Sequence, residues 1–189
     1  SEHKSLSNPT WLAVGRDSPQ KNLDSLLLLW TRFQSTHPNH RLVIAGVVNP
    51  QRLRDLVIRL GLHESVSIEE PVREPLTHFS PVFALLSTSR YEGFPNVILE
   101  GLASACPVIS TRSCDFVIKA EEAGALLASN TDDLVEFEFH MRQLSEDETQ
   151  LSVLRQAGRE FANNYSWGKT RTSWYQAIFQ AQRRVSRRR

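Results

Sequence analysis

The sequence has 189 residues, 40% hydrophobic and 23% charged, with a formal net charge of +1. That length and mixture suit one globular domain with a sizeable core. The near-zero charge argues against a dedicated nucleic-acid binder, so no nucleic-acid partner is expected, and no apolar run approaches the roughly 20 residues of a membrane helix.

The polar start, Ser1-Glu2-His3-Lys4-Ser5, shows neither a signal peptide nor an initiator methionine, so a processed or excised piece is expected. Thr10 to Gly15 reads as a short buried strand, with Arg16 and Lys21 in the loop after it. Leu23, Leu26, Leu27, Trp30 and Phe33 recur at helical spacing, and His37-Pro38-Asn39 ends that helix. Leu42 to Gly46 is a second strand. Pro50 opens a helix that Gly61 closes. Val66 to Ile68 is a third strand, and the proline-broken stretch 71–81 has room only for a short helix. Val82 to Leu86 is a fourth strand, feeding a loop that contains Glu92. Val108 to Ser110 and Ala125 to Leu127 read as the fifth and sixth strands. Asp132 to Leu144, Glu146 to Tyr165 and Gly168 to about Arg183 read as helices, followed by a basic tail over 183–189. Strands alternating with helices predict an α/β domain: a Rossmann-like parallel sheet flanked by helices on both faces. Cys106 and Cys114 lack metal-site partners, so reduced thiols in a cytosolic protein are expected.

The chain turns on Arg90-Tyr91-Glu92-Gly93-Phe94-Pro95-Asn96-Val97-Ile98-Leu99-Glu100-Gly101-Leu102-Ala103. Gly93 suggests an unusual backbone turn, and Pro95 suits the first turn of a helix. Val97, Ile98, Leu99, Leu102 and Ala105 would form its apolar face, and Glu100 would lie about two turns in, among apolar neighbours. Helix N-terminal amides favour an anion. Carboxylates on either side of them are placed to hold hydroxyls. A sugar diphosphate ester offers both groups. Ligands of such sheets bind beyond the carboxyl ends of the strands, where Gly15, Arg16, Lys21, Gly46 and Glu92 all fall. On the residues alone, Arg16 and Lys21 read more readily as a solvated basic loop, and Glu92 reads equally as an acid placed before a helix.

Glu92-Gly-Phe-Pro-Asn-Val-Ile-Leu-Glu100 resembles the Glu-x7-Glu motif of retaining glycosyltransferases of family 4, whose GT-B fold sets two Rossmann-like halves across a cleft. The likeness extends through Pro107 to Ser110 and back to Val14-Gly15-Arg16 and Lys21-Asn22. It covers nearly the whole chain but only the C-terminal, donor-binding half of such an enzyme. The resemblance implies a hexosyltransferase of polysaccharide biosynthesis. Such an enzyme moves a sugar from a nucleoside-diphosphate sugar to a glycan or lipid-linked acceptor. Arg16 and Lys21 would meet the diphosphate, Glu92 the donor sugar near its anomeric carbon, and Glu100 the ribose. Gly46, Gly93, Pro95 and the amides of Phe94, Asn96 and Val97 would line the donor site, with Val72 and Arg73 near the base. No metal or other cofactor is expected.

The missing N-terminal half is an implied partner, and Trp174, Tyr175, Ile178 and Phe179 would pack on protein. A cytoplasmic location is implied, with peripheral contact at the inner membrane face if the arginine tail meets acidic lipid; a solubilising tail is the alternative. After the fifth strand, Thr111-Arg112-Ser113-Cys114-Asp115-Phe116 replaces the glycine pair and glutamate usual in relatives; Asp115 could stand in. Three other readings stay open: a sugar-nucleotide epimerase, a stand-alone sugar-nucleotide-binding or regulatory domain, and a Rossmann-like signalling module.

Overall fold

The computed structural model describes residues 8–165. The expected terminal helix and arginine tail lie outside the described residues. Six strands form one parallel sheet in the order β3-β2-β1-β4-β5-β6. They are β1 (Thr10–Val14), β2 (Arg41–Ala45), β3 (Val66–Glu69), β4 (Ala84–Ser87), β5 (Val108–Thr111) and β6 (Leu127–Ser129). The expected Rossmann-like sheet is therefore observed, as one half of a GT-B fold would have it.

Strands buried on both faces need apolar residues at every position, which explains runs such as Trp11-Leu12-Ala13. Trp11 and Ala13 face one core, shared with Leu26, Trp30, Phe33, Leu53 and Phe137. Leu12 faces the other, shared with Ile98, Leu102, Val117 and Ala120. The first layer is built by α1 (Leu23–Gln34), α2 (Gln51–Arg59) and α6 (Leu134–Glu146); the second by α4 (Asn96–Ala103) and α5 (Asp115–Glu122). Among the described residues there are two further helices, α3 (Pro75–His78) and α7 (Glu148–Ala162), and a 3-10 turn over Asn163–Tyr165 follows α7.

Strand order reverses between β1 and β4, which pair directly from Trp11 opposite Ala84 to Ala13 opposite Leu86. The loops leaving these two strands must part to opposite faces, and a crevice opens between them. Lys21 and Glu92 lie in those two loops.

Several expectations need correction. Asp115–Glu122 forms α5, where no helix was expected; Phe116, Val117 and Ala120 hold it on the sheet. β6 runs two residues later than expected, because Ala125 and Leu126 are spent leaving α5 through a left-handed Gly124. The helix expected from Asp132 starts at Leu134, where the Asp133 side chain accepts from Val135 N and Glu136 N. Ala105 is outside α4, in the left-handed region at φ 53. There Cys106 N donates to Gly101 O (2.9 Å) and Ala105 N to Leu102 O (3.0 Å). Helices α2 and α5 close with the same bond pair, but with Gly61 and Gly124 at the left-handed position. That position favours glycine because a Cβ crowds the following carbonyl there.

Candidate functional site

The loop after β1 begins at Gly15, whose N–H donates to Ala45 O at 2.9 Å. A Cβ on Gly15 would lie 3.1 Å from the Lys21 side chain, so the lysine stem crosses directly over this glycine. Gly46 has φ +95, and a Cβ there would lie 3.3 Å from the Gly15 backbone. The two glycines thus let the loops after β1 and β2 touch, as a close backbone approach requires.

Lys21 and Glu92 meet across the crevice. Lys21 Nζ is 2.6 Å from Glu92 Oε1, with the side chains 21% and 9% exposed. A near-buried carboxylate needs such a partner. Gln20 adds a second contact, its Nε2 donating to Glu92 Oε2 at 3.3 Å and to Tyr91 O at 3.0 Å. Its own carbonyl accepts Arg90 N at 2.8 Å. The Thr88 hydroxyl donates to Lys21 O and Asn22 O. From the far side, Glu92 N donates to Ser113 O at 3.0 Å, and the Thr111 hydroxyl donates to Ser89 O. Three loops, after β1, β4 and β5, are thereby tied together around Glu92. Two hydroxyls in these loops, Ser18 and Ser113, are buried without a hydrogen-bond partner among the described residues.

The other expected residues are placed less uniformly. Arg16 is exposed and forms no ion pair among the described residues. Its neighbour Asp17 is anchored: Arg52 on α2 grips Asp17 and Asp24 together, Nε to Asp17 Oδ2 at 2.7 Å and Nη1 to Asp24 Oδ2 at 3.0 Å. Those hydrogen bonds raise the Arg52 guanidinium further above its ordinary range. Val72 is half-buried after β3, at the sheet edge, and Arg73 beside it is exposed. No hydrogen bond joins either to the Lys21–Glu92 cluster among the described residues.

The start of α4 differs from expectation. Pro95 is its N-cap, one residue before the helix, and is buried. Gly93 does not take a positive φ, and a Cβ there would meet nothing within 4 Å. The loop is shaped by Pro95 and by the anchors at Gln20 and Ser113, not by glycine freedom. Asn96 N donates to Phe94 O at 3.1 Å, so it is partly engaged. The amides of Phe94 and Val97 have no backbone partner among the described residues. Glu100 is the fifth residue of α4, just over one turn in, and it is exposed. The expectation that apolar neighbours bury it is wrong. Residues three and four away in a helix share its face, and Asn96, Ala103 and Ser104 are all exposed. Asp115 opens α5 and is exposed, while Arg112 turns away to pair with Glu121 (2.6 Å) and Glu136 (3.3 Å).

Gln20 and Thr88 were not singled out from the sequence. Thr88 had a signal: Ser87-Thr88-Ser89 follows an apolar strand, where a loop's backbone needs side-chain partners. For Gln20 there was none beyond adjacency to Lys21. Among the described residues no helix is long and apolar enough to cross a membrane.

Comparison with known proteins places this geometry in context. The amylovoran biosynthesis glycosyltransferase AmsD of Erwinia amylovora is 32% identical over 100 residues, 52% of this chain and 28% of that protein. A structure of TarM from S. aureus in complex with UDP and alpha-GlcNAc-glycerol aligns at a TM-score of 0.82 and 16% identity, over 93% of this chain and 36% of that one. The C-terminal domain of the glycosyl transferase group 1 protein LpcC from Francisella tularensis aligns at a TM-score of 0.70 and 16% identity, over 82% of this chain and 85% of that one. The chain spans between 12% and 44% of the length of the curated relatives it matches. Residues 2–161 match the family described as glycosyl transferases group 1, and the chain belongs to that family.

Proposed function

We propose that this chain is the C-terminal, donor-binding half of a retaining glycosyltransferase of family 4. The observation that carries this reading is the meeting of Lys21 and Glu92 at 2.6 Å in the crevice between β1 and β4, beside the N-terminus of α4. A diphosphate held there would face Lys21, exposed Arg16 and the free amides of Phe94 and Val97. When the bond between the anomeric carbon and the diphosphate breaks, negative charge grows on the leaving nucleoside diphosphate. Cations and amides aimed there stabilise the transition state more than the ground state. The acceptor hydroxyl then bonds to the same face of the anomeric carbon, and its proton passes to an oxygen of the departing diphosphate. Lys21 and Arg16 would supply the counter-charge, so the reading requires no metal.

Glu92 would hold the donor sugar close to its anomeric carbon; it is not assigned as a nucleophile. Glu100, one turn into α4 with its carboxylate free, is suited to a ribose diol. Gly15 and Gly46 open the floor beneath the diphosphate, Gly93 and Pro95 present its upper wall, and Val72 would meet the base. The buried, unpartnered hydroxyls of Ser18 and Ser113 are consistent with a polar ligand in the same place. The family relation and the UDP bound to TarM support the nucleotide sugar as donor. The likeness to the LpcC C-terminal domain, over 82% of this chain and 85% of that one, supports the half-enzyme reading. The acceptor, a glycan or lipid-linked sugar, would be held by a preceding N-terminal half. The arginines of 183–189 would touch acidic lipid at the cytoplasmic membrane face.

Calorimetry with UDP, GDP, ADP and pyrophosphate tests the site. Wild type should prefer a nucleoside diphosphate to pyrophosphate, and Glu100→Gln should erase most of that preference while keeping the fold. A preference equal to wild type removes Glu100 from the ribose site.

A further inference from the structure

We propose that Gln20 is the positioning residue for the Glu92 carboxylate, holding it in the donor-sugar orientation when Lys21 is drawn to the diphosphate. The inference rests on the donor-site reading above and adds a residue to it. Among the described residues the Glu92 carboxylate has two side-chain partners: Lys21 Nζ on Oε1 and Gln20 Nε2 on Oε2. They are not equivalent. Lys21 is a mobile point charge whose three donors turn freely towards any new anion. A diphosphate arriving between the loops competes for it, because a doubly charged group outweighs one carboxylate. Glu92 would then lose its shorter contact and be left to swing.

Gln20 resists that. Its amide offers two donors, one on Glu92 Oε2 (3.3 Å) and one on Tyr91 O (3.0 Å). Its backbone carbonyl accepts Arg90 N at 2.8 Å, a bond that any residue at position 20 would keep. One residue therefore engages three successive residues, 90, 91 and 92, of the loop after β4. Because the amide is neutral, an anion has no reason to extract it. A neutral donor also leaves the carboxylate charged and its outer lone pairs free for sugar hydroxyls. Position 20 thus separates two tasks: Lys21 meets phosphate, and Gln20 keeps Glu92 aimed.

The test uses Gln20→Met, which keeps the length and removes the amide, and Gln20→Glu, which sets a like charge beside Glu92. Titration compares a nucleoside diphosphate with its sugar conjugates for each protein, in the full enzyme where the preceding half is attached. The diphosphate Kd of Gln20→Met should stay within about twofold of wild type. Its extra affinity for the sugar conjugate should fall about fivefold to tenfold, and further in Gln20→Glu, in line with loss of an aligned hydrogen-bonded group. A second measurement needs no ligand. Hydrogen exchange at the Glu92 amide should quicken at least fivefold in Gln20→Met, with the amides of α1 unchanged. An undiminished sugar increment in Gln20→Met overturns the proposal, and so does unchanged exchange at Glu92. If wild type gains nothing from any sugar conjugate, the role given to Glu92 fails, and exchange alone decides whether Gln20 holds it.

Discussion

Arg16 and Lys21 share one loop but should respond differently to alanine. Arg16 is exposed without an ion-pair partner among the described residues, and surface changes of that kind fall within about 0.5 kcal/mol. Lys21 packs its stem over Gly15 at 3.1 Å and neutralises a carboxylate that is only 9% exposed. Removing it leaves Glu92 with the Gln20 amide alone, and an under-partnered buried charge costs about 1–3 kcal/mol. Urea unfolding at pH 7.5 should therefore show Arg16→Ala close to wild type and Lys21→Ala clearly less stable. Glu92→Gln in the Lys21→Ala background should restore part of the loss, because the stranded charge is gone. Both single variants should weaken nucleoside-diphosphate binding about tenfold or more, the value of a charge-assisted contact. Equal stability of the two variants, or a double variant no better than Lys21→Ala, would refute the account of the pair. Unchanged affinity in both would remove them from the site.

Ala105→Gly should raise stability by about 0.5–1 kcal/mol, or about 2 °C in Tm, because it relieves an alanine held at φ 53; a lower Tm contradicts the strain. Gly93→Ala should leave Tm within about 1 °C, since a Cβ there meets nothing within 4 Å, so any loss of nucleotide affinity reports a ligand at that spot. An affinity equal to wild type would place the ligand elsewhere. Trp11 Nε1 donates to His40 Nδ1 at 2.8 Å, and burial, helped by His37, lowers His40 from 6.5 to about 4. The unfolded chain takes up this proton near pH 6.5 while the folded chain resists it until about 4, so stability is whole above 6.5 and is lost as pH falls through that window. The ceiling is about 3 kcal/mol at 1.36 kcal/mol per pH unit, and partial exposure of the ring reduces it to about 1–2 kcal/mol. His40→Gln should flatten that slope in urea unfolding at pH 7.5 and 5, and a slope equal to wild type would point to another group.

The parallel sheet was legible because doubly buried strands leave apolar runs, as in Leu42-Val43-Ile44-Ala45. Placement beyond the carboxyl ends of the strands followed from the alternation of strands and helices, whereas the reversal of strand order between β1 and β4 is seen only in the structure. What failed depended on direction in space. Glu100 has Leu99 and Leu102 close by in sequence, yet its own helical face carries exposed Asn96, Ala103 and Ser104. α5 escaped because its eight residues hold only three buried ones, and Cys114 before it makes no side-chain cap. Gly93 was credited with a turn that Pro95 and the flanking anchors produce instead. Gln20 was invisible because its contacts, with residues 71 and 72 positions away, exist only once β1 and β4 lie side by side.

The central claim is that this chain binds the donor and another half holds the acceptor. Transfer needs the acceptor held against the anomeric carbon and water kept out. A half-cleft covers only part of its ligand, so donor binding by the chain alone should be weak, near about 1 mM. The decisive measurement is release of nucleoside diphosphate from candidate nucleotide sugars in the presence of glycan or lipid-linked acceptors, with and without the preceding half supplied in cis or in trans. The account predicts binding without turnover for the 189-residue chain, and turnover together with tighter donor binding once the other half is present. Sustained glycosyl transfer by the 189-residue chain alone would contradict it.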